Sequence, residues 1–215
     1  MNVTYVFQVA VLLAILTGLA LLLGEYMAKV FEGKFNFAPE NWIYKFLKIE
    51  KNKEMDWKTY TFSLLILNII GIVFLFILQE IQYFMPLNPQ KLASLRWDTA
   101  LNTAVSFVTN TNWQAYSGEQ TMSYLTQMLG MTVQNFLSAA IGIAAAIAFI
   151  RGFSRKTTTE IGNFWVDLTR SIVYILLPLS IIFSIFLVSQ GVIQNFNPTL
   201  GVSSFPFFYG QVLLL

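Results

Sequence analysis

The sequence predicts an all-α integral membrane protein with four transmembrane helices and one shorter helix that enters the membrane without crossing it. Only 11% of the 215 residues are charged and 56% are hydrophobic, whereas proteins average about 25% charged residues. Four long stretches carry no charge, namely residues 1–24, 59–79, 120–150 and 171–215. A helix needs about 20 apolar residues to cross a ~30 Å hydrocarbon core, so each stretch has room for one span.

The first span is predicted over residues 4–24, where the apolar stretch continues up to Glu25. A cleaved signal peptide is the alternative interpretation. The segment has no basic residue before its apolar core and no small-residue cleavage site after Leu23, and its apolar stretch is long for a signal peptide. We therefore expect residues 1–24 to form a retained N-terminal transmembrane helix.

The other spans are predicted over residues 60–81, 126–150 and 168–189. Of the 13 basic residues, seven lie in residues 25–59 and four in residues 151–170. Because basic residues concentrate in cytoplasmic loops, both segments are predicted to be cytoplasmic. The N-terminus and the tail, residues 190–215, are then expected outside the cell.

A fifth uncharged stretch, residues 99–118, is too polar to cross lipid, because it holds ten Ser, Thr, Asn and Gln residues. Asp98 is a favourable N-cap whose charge suits the positive end of a helix. The following apolar residues recur at helical spacing: Leu101, Ala104, Val105 and Val108. Residues 97–108 are therefore predicted to form a helix about 18 Å long, which reaches about halfway into a ~30 Å core.

The helical pattern stops at four residues of low helix propensity: Thr109, Asn110, Thr111 and Asn112. We interpret the stretch as a re-entrant hairpin, a short helix into the membrane followed by an extended strand back. Such backbone survives at membrane depth where protein buries it or water lines it. Its free carbonyl groups and the negative end of the helix dipole would attract a dehydrated cation. An external amphipathic loop with a capped helix is the alternative that composition leaves open.

Composition excludes several kinds of chemistry. The chain has no Cys and no His, so disulfides, thiolate and imidazole metal sites, thiol nucleophiles and the commonest general base are excluded. The sequence contains no Walker A motif and no dinucleotide-binding glycine pattern. A net charge of +2 is too small to indicate nucleic-acid binding. No enzyme site is predicted.

The segment DTALNTAVSFVTNTNWQAYSGE, residues 98–119, closely resembles the first pore loop of the A-subunit family of Kdp potassium-transporting ATPases. Four more blocks resemble this family in the same order: MDWKTY at 55–60, PLNPQ at 86–90, TVQNFLSAAIGIA at 132–144 and GNFWVDLTRS at 162–171. The resemblance runs from Met55 to about Phe196. The pore-loop motif is long, and it is therefore more specific than a short pattern.

The resemblance implies a fold like a potassium channel made in one chain, with helix–pore-loop–helix units around one filter. Residues 1–24 would be an extra helix, and residues 60–150 would be the first unit, with its pore helix and filter loop. Residues 151–189 would be a cytoplasmic loop and the first helix of the second unit.

The resemblance also implies which residues bind the ion. The filter strand would consist of Thr109, Asn110, Thr111 and Asn112. Potassium would be bound through the backbone carbonyls of Thr109, Asn110 and Thr111. Gln114, just after the strand, is expected to influence selectivity.

The family further implies a transport function without catalysis by this subunit. It would bind potassium from outside, as the transported ion and the sole ligand, and pass it to a catalytic B subunit, with C and F subunits completing the complex. ATP hydrolysis is expected on the separate B subunit, because the phosphorylated D-K-T-G loop is absent here. The protein is expected as a multi-pass component of a bacterial or archaeal cell membrane, in contact with lipid and not with nucleic acid.

The chain departs from the family pattern after Asn197. The family continues through three more pore loops, the next with the Gly-rich stretch LGTNGGG, and the tail PTLGVSSFPFFYGQVLLL resembles none of it. We therefore expect an incomplete, N-terminal portion of a longer subunit. A self-assembling potassium-channel-like subunit and a non-functional membrane fragment are the alternatives.

Two further features of the spans have competing interpretations. Asp167 and Arg170 begin the fourth span, where they are predicted to lie at the cytoplasmic interface and snorkel. Pairing with each other or with a partner subunit is the alternative. In the third span, small residues recur every four positions and predict a close-packing face, although ordinary membrane-helix composition explains them equally well: Ser138, Gly142 and Ala146.

Overall fold

The computed structural model describes residues 3–155 and 158–192. Within these ranges the chain forms six helices of ten or more residues: α1 Val3–Phe31, α2 Ala38–Leu47, α3 Trp57–Ile81, α4 Trp97–Val108, α5 Thr126–Ser154 and α6 Phe164–Ser189. Two short helices, Gln82–Phe84 and Gly118–Thr121, lie in the connecting segments. No β-strand occurs among the described residues, only an isolated β-bridge between Asp56 and Glu160. The predicted tail, residues 190–215, lies outside the described residues from 193 onward.

Four of these helices, α1, α3, α5 and α6, are long and apolar enough to cross a membrane. The predicted all-helical membrane fold with four spans is therefore confirmed, while the re-entrant position of α4 stays a prediction. The helices are longer than the apolar runs alone predicted. In α1 the helix continues past Glu25, whose carboxylate lies 2.6 Å from the Lys29 ammonium. Such a pair four residues apart stabilises a helix.

The chain divides after Lys48 into two compact units, and the first of these contains α1 and α2. The charged composition of residues 25–59 predicts a cytoplasmic loop, and α2 within it is not predicted. This helix has Pro39 in its first turn, where a missing N–H removes no helical hydrogen bond. It ends at Lys48, whose φ of 54° lies in the left-handed region.

In the second unit, α3, α5 and α6 surround one apolar core. Its buried members are Tyr60, Ala140, Ile141, Ala144, Ala148, Phe164 and Leu168. Alanines spaced by four residues allow neighbouring helices to approach closely. Of the predicted close-packing face, Ser138 is buried, while Gly142 and Ala146 are exposed within the described part of the chain, so the packing of this face against a further helix stays a prediction. Within the described residues, the face of α5 that packs in this core holds Ala140, Ala144 and Ala148, each two residues after a member of the predicted face.

A second apolar core holds α4 between α3 and α5. Its buried members are Leu75, Leu95, Ala100, Ala104, Phe107, Met122 and Met131. The first turns of α5, Thr126–Thr132, are π-helical. They pass so close to α3 that a Cβ at Gly130 would lie 2.8 Å from both Leu75 and Leu78. This packing places α4 against the C-terminal half of α3.

The other end of this unit is joined by two connecting segments, residues 49–56 and 158–163, which we call the clasp. The Met55 amide donates to the Gly162 carbonyl (2.7 Å), and the Ile161 amide donates to the Met55 carbonyl (3.0 Å). The Asn163 side chain donates to the Lys53 carbonyl (2.8 Å), and its oxygen caps α6 at the Trp165 amide (3.0 Å). The two segments predicted as cytoplasmic therefore meet at one end of the helices.

Behind the clasp lies a buried ion pair. The Arg151 guanidinium holds both carboxylate oxygens of Asp167, at 2.6 and 2.9 Å, and the Tyr60 hydroxyl reaches the same carboxylate at 3.1 Å. The Asp167 side chain is 1% exposed, and that of Arg151 is 15% exposed. Both Asp167 and Arg170 are buried, so their predicted snorkelling is wrong. Asp167 pairs across the helices with Arg151, 16 residues away.

The loop before α6 leaves no space for a side chain beside this pair. Gly162 has a φ of 107°, and a Cβ there would lie 2.1 Å from Arg151 Nη1. Arg151 cannot move aside without losing Asp167. Glycine is therefore required at this position on both conformational and steric grounds.

A second ion pair at the clasp is exposed, and it predicts a dependence of stability on pH. Arg155 nitrogens lie 2.6 and 3.0 Å from the Glu54 carboxylate oxygens, and this hydrogen bonding lowers the pKa of Glu54. A carboxylate with a lowered folded pKa stabilises the fold above its unfolded pKa, about 4.3, and loses this effect as the pH falls through the folded pKa.

We therefore expect the pair's contribution to the free energy of unfolding to be constant between pH 7 and about pH 5 and to disappear below about pH 4. Unfolding of the chain in mixed micelles, followed by tryptophan fluorescence, measures it. The variant Glu54→Gln should show a flatter acid profile. Superimposable profiles for the two proteins would contradict the assignment.

Candidate functional site

The helix that leads into the candidate site, α4, has the predicted bounds and is 12 residues long. Its N-cap is Arg96, and Asp98 lies in its first turn. The Asp98 carboxylate accepts from the Thr99 amide (2.9 Å) and pairs with Arg96 (2.8 Å). The predicted N-cap role of Asp98 is therefore wrong, because the helix begins before it. Its charge still lies at the positive end of the helix dipole.

Gln82, directly after α3, forms hydrogen bonds to both ends of the segment that carries the candidate site, residues 93–126. Its side chain is fully buried, and its nitrogen donates to the carbonyls of Ala93 (2.6 Å) and Thr121 (2.8 Å). Its oxygen accepts from the Ser123 amide and the Thr126 hydroxyl, both at 3.1 Å. The role of Gln82 is not predictable from local sequence, because its partners lie 11 to 44 residues away.

After Val108 the helix ends, and the backbone changes handedness residue by residue. Asn110 has a φ of 58° and Asn112 a φ of 53°, while Thr109 has a φ of −81°. Positive φ is strained for most L-residues, and Asn tolerates it better than most. In the predicted filter strand, the two Asn residues have positive φ and the two Thr residues do not, so the residue types suit the backbone conformation at each position.

Ser106, in the last turn of α4, forms several hydrogen bonds to the strand and to the residue after it. Its carbonyl accepts the amides of Thr111 (3.0 Å) and Asn112 (3.3 Å), and also the Thr111 hydroxyl (3.0 Å). Its own hydroxyl donates to the Trp113 carbonyl (2.9 Å). Ser106 is fully buried. From the sequence, Ser106 is one of ten polar residues in its stretch. Its position one turn before the Thr-Asn residues is the feature that could have predicted this role.

The carbonyl groups of the strand point away from α4. In a trans peptide group the N–H and C=O bonds point in opposite directions, and the described residues contain no cis peptide. The amides of Asn110, Thr111 and Asn112 donate to the last turn of α4, at 3.2, 3.0 and 3.3 Å. The carbonyls of these same peptide groups therefore face outward, and they belong to Thr109, Asn110 and Thr111.

These three carbonyl oxygens accept no hydrogen bond from residues 3–155 or 158–192. All four residues of the strand, and Gln114 after it, are exposed. Gln114 takes no part in the network around Ser106. Rings of carbonyl oxygens replace the hydration shell of a cation in selectivity filters. One strand offers such oxygens from one side only, so a complete ion site needs further strands.

Within the described ranges, no group of three or more Asp and Glu residues comes together to hold a metal ion. The strand is also braced from a second helix, since the Ser138 hydroxyl of α5 lies 3.2 Å from the Asn110 side-chain oxygen.

Comparison with known proteins gives concordant matches. The family model of the potassium-transporting ATPase A subunit matches residues 10–208. The potassium-transporting ATPase potassium-binding subunit of Clostridium botulinum (strain Eklund 17B / Type B) is 53% identical over 198 residues, which are 89% of this chain and 34% of the relative. The subunit of the same name from Geobacter sulfurreducens is 51% identical over 209 residues, 94% of this chain and 35% of the relative.

The subunit of the same name from Ralstonia pickettii is 54% identical over 198 residues, which are 90% of this chain and 34% of that relative. The chain spans about a third of the length of these curated relatives. The family match also extends beyond the blocks between Met55 and Phe196. The statement that the tail after Asn197 resembles nothing in the family is therefore wrong as far as residue 208.

Proposed function

Because this chain belongs to the family of potassium-transporting ATPase A subunits, we propose that it forms part of a potassium-binding and potassium-translocating subunit. The strand of Thr109, Asn110, Thr111 and Asn112 is proposed as the first strand of the selectivity filter. The observation that carries this assignment is the outward direction of three consecutive carbonyls that accept no hydrogen bond within the described residues.

In this proposal the carbonyls of Thr109, Asn110 and Thr111 replace part of the hydration shell of potassium. The remaining ligands come from further pore loops around the same axis. The C-terminal end of α4, with the negative end of its dipole, directly precedes the strand. Gln114 follows the strand as an exposed side chain, and we propose that it influences which ion enters.

The clasp supports an orientation in the membrane. It lies within the two segments, residues 25–59 and 151–170, that hold eleven of the 13 basic residues, and this supports placing both segments in the cytoplasm. The α4 helix packs against the opposite half of α3, around Leu75, and this supports a filter that opens to the outside. The N-terminus would then be outside, in a multi-pass protein of a bacterial or archaeal cell membrane.

The proposal assigns ATP hydrolysis to a separate catalytic B subunit, with C and F subunits completing the complex. The chain itself is proposed as non-catalytic, with potassium as the transported ion. This division agrees with the composition, since the sequence lacks Cys, His and nucleotide-binding motifs.

The test uses the complete potassium-binding subunit that contains these residues, assembled in its transporter. We expect Asn110→Ala and Gln114→Ala each to raise the potassium KM by roughly tenfold, equivalent to about 1.4 kcal/mol of binding free energy. Potassium uptake is measured at micromolar concentrations in cells without other potassium transporters.

Asn68→Ala is the matched control, because among residues 3–155 and 158–192 the Asn68 side chain donates only to the Leu64 carbonyl (2.8 Å) of its own helix. Its potassium KM should equal that of the unaltered transporter. If uptake at micromolar potassium stays unaltered in the double variant of Asn110 and Gln114, the filter assignment is wrong.

A further inference from the structure

One side chain outside the filter strand makes direct contact with it from another helix. Ser138 of α5 is buried, with 3% of its surface exposed. Its hydroxyl lies 3.2 Å from the Asn110 side-chain oxygen and 3.3 Å from the Asn135 carbonyl of its own helix. A buried serine can donate its single O–H within its own helix. The contact with Asn110, by contrast, joins two segments that are 28 residues apart in sequence.

Asn110 is the residue through which such a contact acts most directly on the ion ligands. It lies at the centre of the strand with a φ of 58°, and the peptide groups on its two sides carry the carbonyls of Thr109 and Asn110. Within the described residues, the side chain of Asn110 has no other hydrogen-bond partner than Ser138. Holding this side chain therefore limits rotation of both peptide groups.

We infer that Ser138 is a positioning residue for ion selectivity, which acts through Asn110. It joins the strand to α5, while Ser106 joins the same strand to α4. The two helices thus fix the strand from two directions, and the carbonyl oxygens keep the spacing that distinguishes potassium from a smaller cation. This inference rests on the proposed function of the strand.

The test is a double-mutant cycle in the assembled transporter with the variants Ser138→Ala, Asn110→Gly and their combination. Glycine is compatible with the left-handed backbone and removes the side chain that Ser138 contacts. Ser138→Ala should raise the potassium KM about fivefold, the effect of one lost hydrogen bond, and should lower the preference for potassium over sodium, with kcat unchanged. Asn110→Gly should do at least as much.

The double variant of Ser138 and Asn110 distinguishes a positioning role of Ser138 from a general loss of packing around it. If Ser138 acts through Asn110, the double variant has the same KM and selectivity as Asn110→Gly alone. Ser138→Thr retains the hydroxyl and should retain the selectivity. Ser63→Ala is the control, because the Ser63 hydroxyl bonds the Thr59 carbonyl (2.9 Å) within α3, and it should change neither quantity.

The outcomes distinguish this inference from the proposed function. If Asn110→Gly has no effect on KM or selectivity, the filter assignment fails and the inference fails with it. If Asn110→Gly has its effect but Ser138→Ala has none, or if the two effects add, only the positioning role of Ser138 is overturned. If the transporter does not assemble with Ser138→Ala, Ser138→Thr is compared with Ser138→Val. These two side chains have a similar size and differ only by a hydroxyl in place of a methyl group, so a loss of selectivity in the valine variant alone supports the positioning role and equal selectivity overturns it.

Discussion

Arg151→Ala is expected to lower the free energy of unfolding by roughly 3–5 kcal/mol, because removing one member of a buried ion pair leaves the other without compensation. The carboxylate of Asp167 would lose two charge-assisted hydrogen bonds of 2.6 and 2.9 Å and keep the weaker one from the Tyr60 hydroxyl at 3.1 Å. Unfolding in mixed micelles, followed by tryptophan fluorescence, measures the loss.

The same helix end supplies a matched control for this prediction. Arg155 also makes two hydrogen bonds to one carboxylate, that of Glu54, but this pair is about one-third exposed. Exposed pairs contribute about 0–1 kcal/mol, so Arg155→Ala should have a small effect. The double replacement Arg151→Met with Asp167→Leu should recover much of the loss. Equal losses for the two single arginine variants would contradict the role of burial.

Asn112→Val is expected to raise the potassium KM of the assembled transporter by roughly five- to thirtyfold, because a left-handed backbone costs other L-residues about 1–2 kcal/mol. Asn112 has a φ of 53°, and a β-branched residue tolerates this conformation poorly. The Asn112 amide would then leave the Ser106 carbonyl, and the outward direction of the Thr111 carbonyl would be lost with it.

Asn112→Gly separates the backbone from the side chain. Glycine adopts positive φ without strain, so this variant should keep a potassium KM within about twofold of the original, less than 0.5 kcal/mol. Uptake at micromolar potassium measures both variants. A glycine variant as impaired as the valine variant would show that the side chain of Asn112, and not its backbone conformation, determines binding.

Much of the fold could be predicted from local properties of the sequence. The four spans follow from uncharged stretches, and α4 follows from the spacing of Leu101, Ala104, Val105 and Val108, with the bounds that the structure has. The short helix α2 was missed because residues 25–59 are rich in charge. The ends of α1 and α5 were placed too early, because a helix supported by its own backbone hydrogen bonds continues past the apolar stretch into charged residues.

The candidate site could be predicted only in part. The Thr-Asn stretch was identified from its polarity and its resemblance to the family, and the alternating backbone explains why asparagine suits its second and fourth positions. The residues that hold it, Ser106 and Ser138, were not identified as such. Ser106 acts mainly through its carbonyl, which every residue has, and Ser138 acts across 28 residues of sequence.

The sequence by itself determined the membrane class, the number of spans, the place of the short helix and the family of the chain, because hydropathy, helix propensity and motif are properties of contiguous residues. Tertiary structure alone decided the partners. Asp167 pairs with Arg151, 16 residues away, and within the described residues α5 packs in its apolar core through Ala140 and Ala144. Rotation of one helix against another decides such contacts, and it depends on the summed packing of side chains distant in sequence.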